Sequence, residues 1–182
     1  MIATSRGYQR PERGRPTERG EVCVAGPAVC SGYGNDPAAT AAALRDGFFH
    51  TGDLGYFDAD GYLWIAGRIK ELIIVGGSNV TPGEVAAALE DVPGVAEIAA
   101  VGVPHEDLGE VVGAVVAPRG GPRSSGMVRA LEAALRRQAE QRLAPYKRPR
   151  RYVFVEEIPR NAMGKIDVPA CRRLLAEAAP GR

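Results

Sequence analysis

The 182-residue chain carries 23 Lys and Arg against 22 Asp and Glu, a formal charge of +1, and 45% of it is hydrophobic. That near-balance argues against an obligate nucleic-acid partner, which calls for a basic excess. No apolar run of about 18 residues offers a membrane span, and the N-terminus lacks the basic-then-apolar pattern of a signal peptide. Cys23, Cys30 and Cys171 make an odd count with no C-x-x-C spacing, so the reading is no disulfide, no metal site and a reducing, cytoplasmic home.

In chain order, residues 1–19 hold five arginines and two prolines with almost no large apolar side chain. Such a segment cannot offset its ordering entropy and is expected to be a disordered, solvated tail. "GEVCVAG" (20–26) is a β-rich run, "SGYGNDPAAT" (31–40) is turn chemistry and "AATAAALRD" (38–46) a short Ala-rich helix. Two β-like runs at 48–58 and 61–67 flank Ala59-Asp60-Gly61, a hairpin signal. Residues 20–67 lack the apolar faces to close a core of their own.

After Gly67 the character changes. An apolar run in "ELIIVGGSNV" ends in a Gly pair, and Thr81, Pro82 and Glu84 form a capping box that opens a helix of about ten residues. Val-rich strands follow at 95–104 and 110–118, then an amphipathic helix at 127–143, a strand at 151–158 and a last helix at 168–178. The order from residue 68 to 182 is strand, helix, strand, strand, helix, strand, helix. It predicts an α+β domain with a small mixed sheet covered by helices.

Individual residues carry weak chemical signals. Asp53 in "HTGDLG" can accept ribose hydroxyls or merely satisfy turn N–H groups. Arg68 and Lys70 after a strand can hold a phosphate or diol, or form a charged turn. Gly76-Gly77 permits close backbone approach or a sharp turn. His50 and His105 have no partner at ligand spacing and read as structural or solvent-facing, and Trp64 reads as core or interdomain packing. Lys165 follows Gly164 on a turn between a strand and the final helix.

Read together, "HTGDLG", "DGYLWIAGRIKELIIVGGSNVTPGEV" and "PYKRPRRYVFVEEIPRNAMGKID" resemble, in order and spacing, the C-terminal part of the adenylate-forming enzymes. The resemblance covers residues 20–175, and "PHEDLGEVVGAVV" is similar to the acyl-CoA synthetase branch. It implies that an acid and ATP form an acyl-adenylate and pyrophosphate, and that coenzyme A then takes the acyl group. It further implies that residues 20–67 are a remnant of a large N-terminal domain and residues 68–182 the small domain that rotates between the two steps.

Carried over by position, the resemblance implies that Lys165 is the adenylation lysine and that Asp53 and Arg68 grip the ribose of ATP/AMP. It makes Lys70 the hinge and Gly76 and Gly77 the loop lining the coenzyme A tunnel. A lysine suits the first role because a protonated ammonium can bridge a carboxylate and an α-phosphate that repel one another. The chain departs from the pattern at Val168-Pro169, where relatives carry a basic residue, leaving coenzyme A phosphates to Arg172 and Arg173 or to Tyr146-Lys147-Arg148. Leu108 stands where many relatives have Trp. The phosphate loop, the acyl pocket and the glutamate that binds Mg are not matched here. The expectation is a chain inactive alone that needs an N-terminal domain partner. The alternatives are a non-catalytic truncated remnant or interaction module, or a piece cut from a longer enzyme.

Overall fold

A computed structural model of the protein describes residues 2–4, 7–9 and 18–178. The chain divides into two units, Met1–Lys70 and Glu71–Arg182. The division falls after Lys70 rather than after Gly67. Among the described residues no helix is long and apolar enough to cross a membrane.

The first unit is built on one antiparallel sheet. Strands β1 (Ile2–Thr4) and β2 (Gly7–Gln9) pair with each other, and β1 also pairs with β3 (Gly20–Val24). Disorder is expected of residues 1–19, yet these two segments are paired, β2 with β1 and β1 with β3. The rest of that expectation, over 10–17, lies outside the described residues. Helix α1 (Pro37–Ala43) starts at Asp36, whose side chain accepts the Ala39 N–H, and is shorter than the expected 38–46 because Leu44 and Arg45 turn into strand β4 (Leu44–Arg45). Strand β5 (Phe48–Phe57) pairs with β3 on one edge and with β4 and then β6 (Leu63–Arg68) on the other. Asp58 closes the β5–β6 turn. Its carboxylate accepts from Trp64 Nε1 at 2.6 Å and from the backbone N–H groups of Tyr62 and Asp60, and these bonds, the Trp64 one foremost, hold it below the usual carboxylate range.

The second unit is organised by β10 (Gly109–Pro118). It pairs antiparallel with β9 (Val95–His105) along its length. On its other edge it meets β7 (Ile73–Val75) at Gly109, then runs parallel to β11 (Arg151–Phe154). The sheet is therefore mixed, as expected. Strand β7 turns through Gly76-Gly77 into β8 (Ser78–Val80), a strand the sequence reading did not separate from the apolar run before it.

Because side chains alternate along a strand, β10 feeds two cores. Val112, Ala114 and Val116 join Val85 and Leu89 of helix α2 (Pro82–Leu89) and Leu131, Leu135 and Ala139 of helix α3 (Ser125–Arg142). Val111, Val115 and Ala117 join Cys171 and Leu175 of helix α4 (Val168–Glu177). Covered on both faces, the strand reads as one apolar run. Gly113 is required there, since a Cβ would sit 2.7 Å from both Leu175 and Val103. The expected capping box opens α2, where the Glu84 carboxylate accepts the Thr81 N–H at 3.1 Å.

Candidate active-site residues

In the first unit, Asp53 and Arg68 come together. They are cross-strand partners on β5 and β6, and Arg68 Nε lies 2.9 Å from Asp53 Oδ1. Asp53 sits within a strand, not on a turn. The five residues of β5 from His50 to Leu54 span the register of only three on β3, Glu21 to Cys23. The resulting bulge passes through Gly52 at φ 72, a left-handed conformation that suits glycine. Such bulges re-aim side chains, and this one leaves the Asp53 carboxylate beside the Arg68 guanidinium. Lys70 is exposed in the 3-10 turn Ile69–Glu71, and the division of the chain follows it directly.

In the second unit, Lys165 is carried by a braced loop. The Asn161 side-chain oxygen accepts the backbone N–H groups of Met163 at 3.0 Å and Lys165 at 3.1 Å. Asn161 N–H donates to the Lys165 carbonyl at 2.8 Å, and Asp167 N–H to the Pro159 carbonyl at 2.8 Å. Arg160 donates to the Gly164 carbonyl at 2.7 Å and pairs with Glu97 on β9. Gly164 takes φ 74, closing the turn. Lys165 is exposed, and among the described residues of its unit no carboxylate pairs with its ammonium.

Gly76 and Gly77 have φ 54 and 83, the signature of a type I′ hairpin turn. Gly76 N–H donates to the Leu108 carbonyl at 3.0 Å, and a Cβ at Gly76 would lie 3.2 Å from Leu108. Leu108 thus packs against the glycine turn.

The basic residues considered for phosphate contacts are mostly committed elsewhere. Lys147 Nζ lies 2.8 Å from Glu84. Burial works to raise the Glu84 carboxyl, but hydrogen bonds from Lys147 and the Thr81 N–H outweigh it and hold the group below its ordinary value. Arg148 donates to the carbonyls of Leu143 and Glu140 at the end of α3. Arg172 donates to the Gly102 carbonyl and pairs with Glu110. Arg173 remains exposed. Trp64 is not a core residue: it is 54% exposed. The His50 reading also changes, because strand pairing brings Glu21, Cys23 and His50 together, a proximity that their sequence separation hides.

Residues 84–165 match the family model of the AMP-binding enzyme C-terminal domain. The indoleacetate–CoA ligase of Aromatoleum aromaticum is 45% identical over 163 residues, covering 89% of this chain and 31% of that protein. The oxalate–CoA ligase of Arabidopsis thaliana is 41% identical over 169 residues, covering 93% of this chain and 31% of that protein. Among solved structures, ATP-bound MatB from Rhodopseudomonas palustris superposes with a TM-score of 0.78 at 39% identity, over 94% of this chain and 32% of the other. The chain belongs to the adenylate-forming enzymes. It corresponds to the C-terminal portion of an acyl-CoA synthetase and spans about a third of the length of the curated relatives it matches.

The sequence alone directs attention to Lys165 but not to the groups that brace its loop. Arg160 and Asn161 stand inside the quoted motif, yet their roles rest on hydrogen bonds within the loop and on Glu97, which lies far back in the chain. The Gly-Gly hairpin, by contrast, had a local signal: a glycine pair between β-formers.

Proposed function

We propose that this chain supplies the C-terminal machinery of an ATP-dependent acid–CoA ligase. Lys165 is the adenylation residue. Its ammonium bridges the incoming carboxylate and the α-phosphate and offsets the charge that grows as the acyl-adenylate forms and pyrophosphate leaves. Asp53 accepts the ribose hydroxyls of ATP or AMP, with Arg68 beside it. Lys70 is the hinge, and the Gly76-Gly77 turn lines the approach of coenzyme A, whose thiol then displaces AMP. No residue of this chain is assigned to Mg, and the triphosphate and acyl sites belong to an N-terminal domain partner. One observation carries the reading: Lys165 is projected by a loop braced through Arg160 and Asn161 and has no counter-ion among the described residues of its own unit. Division of the chain directly after Lys70 supports the hinge.

ATP–pyrophosphate exchange tests it, with this chain mixed with the separately produced N-terminal part of a related CoA ligase and a panel of carboxylic acids. The chain alone is expected to be silent and the mixture active. Lys165→Ala should lower exchange by about 100-fold or more while thioester formation from a supplied adenylate persists. Because Lys165 is exposed, the variant's melting temperature should not move. Unchanged exchange in Lys165→Ala would refute its role. A non-catalytic interaction module is the second reading, favoured by the exposure of Tyr62, Leu63, Trp64 and Ile65 around β6; it predicts silence in every mixture.

A further inference from the structure

We propose that Glu21, Cys23 and His50 form a zinc site on the β3–β5 ladder, with a carboxylate, a thiolate and an imidazole as donors. Cys23 and His50 are cross-strand partners, so their side chains meet on one sheet face. Glu21 precedes Cys23 by two positions, which brings it to the same face. One donor atom from each lies within 4.8 Å of the others. His50 Nδ1 is 2.8 Å from Glu21 Oε2 and 3.4 Å from Cys23 Sγ. Gly52 N–H donates to Glu21 Oε1 at 3.2 Å, which orients the carboxylate and leaves Oε2 to the imidazole.

The contacts at Nδ1 conflict with one another. The Arg45 guanidinium lies 3.0 Å from this same nitrogen and 3.5 Å from Glu21 Oε2. A ring nitrogen carries either a proton or a lone pair. It cannot donate to Glu21 and accept from Arg45 at once. A cation held by Sγ, Nδ1 and Oε2 removes the conflict, since each atom then offers a lone pair and Arg45, half-exposed, swings outward. A mixed sulfur, nitrogen and oxygen donor set of this kind suits zinc, with water in the fourth position. A cavity of about 600 Å³ lined by Glu21, Arg45 and His50 gives the ion its entry, while Cys23 is fully buried behind them. On binding, the thiol proton passes to solvent and no oxidation state changes.

The test is titration of the purified, chelator-stripped full chain with Co²⁺, followed by absorption spectroscopy and competition with Zn²⁺. A single bound Co²⁺ with a thiolate-to-metal charge-transfer band is expected, and Zn²⁺ should abolish the band. Cys23→Ser should remove it and weaken binding by more than about 100-fold, the upper range reached by outer-shell changes alone. Cys30→Ser and Cys171→Ser should leave the band intact, and Arg45→Ala, which removes a competing cation, should tighten binding severalfold. A wild-type chain without the band, or a band surviving Cys23→Ser, overturns the proposal. If circular dichroism shows that Cys23→Ser fails to fold, Glu21→Gln decides: unchanged Co²⁺ affinity in that variant overturns it equally.

Discussion

The two units of this chain are built to different standards of burial. In the second, apolar side chains from Ile73 to Leu175 fill both faces of a sheet, and β10 is buried from Val111 to Pro118. In the first, Val22 and Cys23 are the only buried hydrophobic side chains among the described residues, while Tyr33, Tyr62, Leu63, Trp64, Ile65 and Ile69 are exposed. Backbone pairing is ample in both, so the difference lies in what the sheets are packed against. A sheet with apolar residues on view is a surface awaiting cover, and among the described residues β6 pairs with β5 alone, leaving its other edge open. The Lys165 loop needs no such cover, because Arg160 and Asn161 tie it to its own unit. The lesson is that a hydrogen-bonded sheet and an independently stable one are different things.

The sharpest way to break the comparison is to separate the units. Residues 71–182 produced alone should unfold in one cooperative transition by circular dichroism. Residues 18–70 alone should show no such transition, since a segment of that size with two buried apolar side chains cannot offset its chain entropy. Cooperative folding of the shorter piece would remove the contrast. Paired substitutions give a smaller effect of the same kind. Leu135→Ala empties a fully buried site on α3 and should cost about 2–5 kcal/mol by urea denaturation. Trp64→Ala, which loses its bond to Asp58 but little burial, should cost less than about 1 kcal/mol. If the two costs are equal, the first unit has more of a core than its exposure implies.

Legibility in the sequence followed the same divide. The second unit was readable because its signals are local and periodic: the Thr81–Glu84 capping box, the Val-rich runs that became β9 and β10, and the α3 stripe of Leu131 and Leu135. The β8 strand escaped because it is three residues long and Val80 is its only large apolar side chain. The first unit was less readable because pairing partners are distant. Nothing near Glu21 announces His50, and nothing near Asp53 announces that a bulge at Gly52 would set it against Arg68. Lys165 was singled out from its motif, but Lys147, Arg148 and Arg172 looked equally available for phosphates. Only their distant partners, Glu84, the end of α3 and Glu110, show that they are structural.

The smallest effect probes how the second unit joins its pieces. Glu84 opens α2, and its partner Lys147 comes from the turn after α3. The pair therefore links a cap to a distant element. Because the folded Glu84 carboxyl is held below its ordinary value of 4.5, the charged form is the one the fold favours. Its contribution is complete above the unfolded value and is lost as pH falls through the lowered folded value. Glu84→Gln keeps an acceptor for the Thr81 N–H but gives up the charge. It should cost about 1 kcal/mol or less at pH 7, since the pair is only partly screened from water. The gap in melting temperature between wild type and variant should then narrow as pH drops below 4.5. A gap independent of pH would mean that the shape of the cap, and not its charge, joins α2 to the turn after α3.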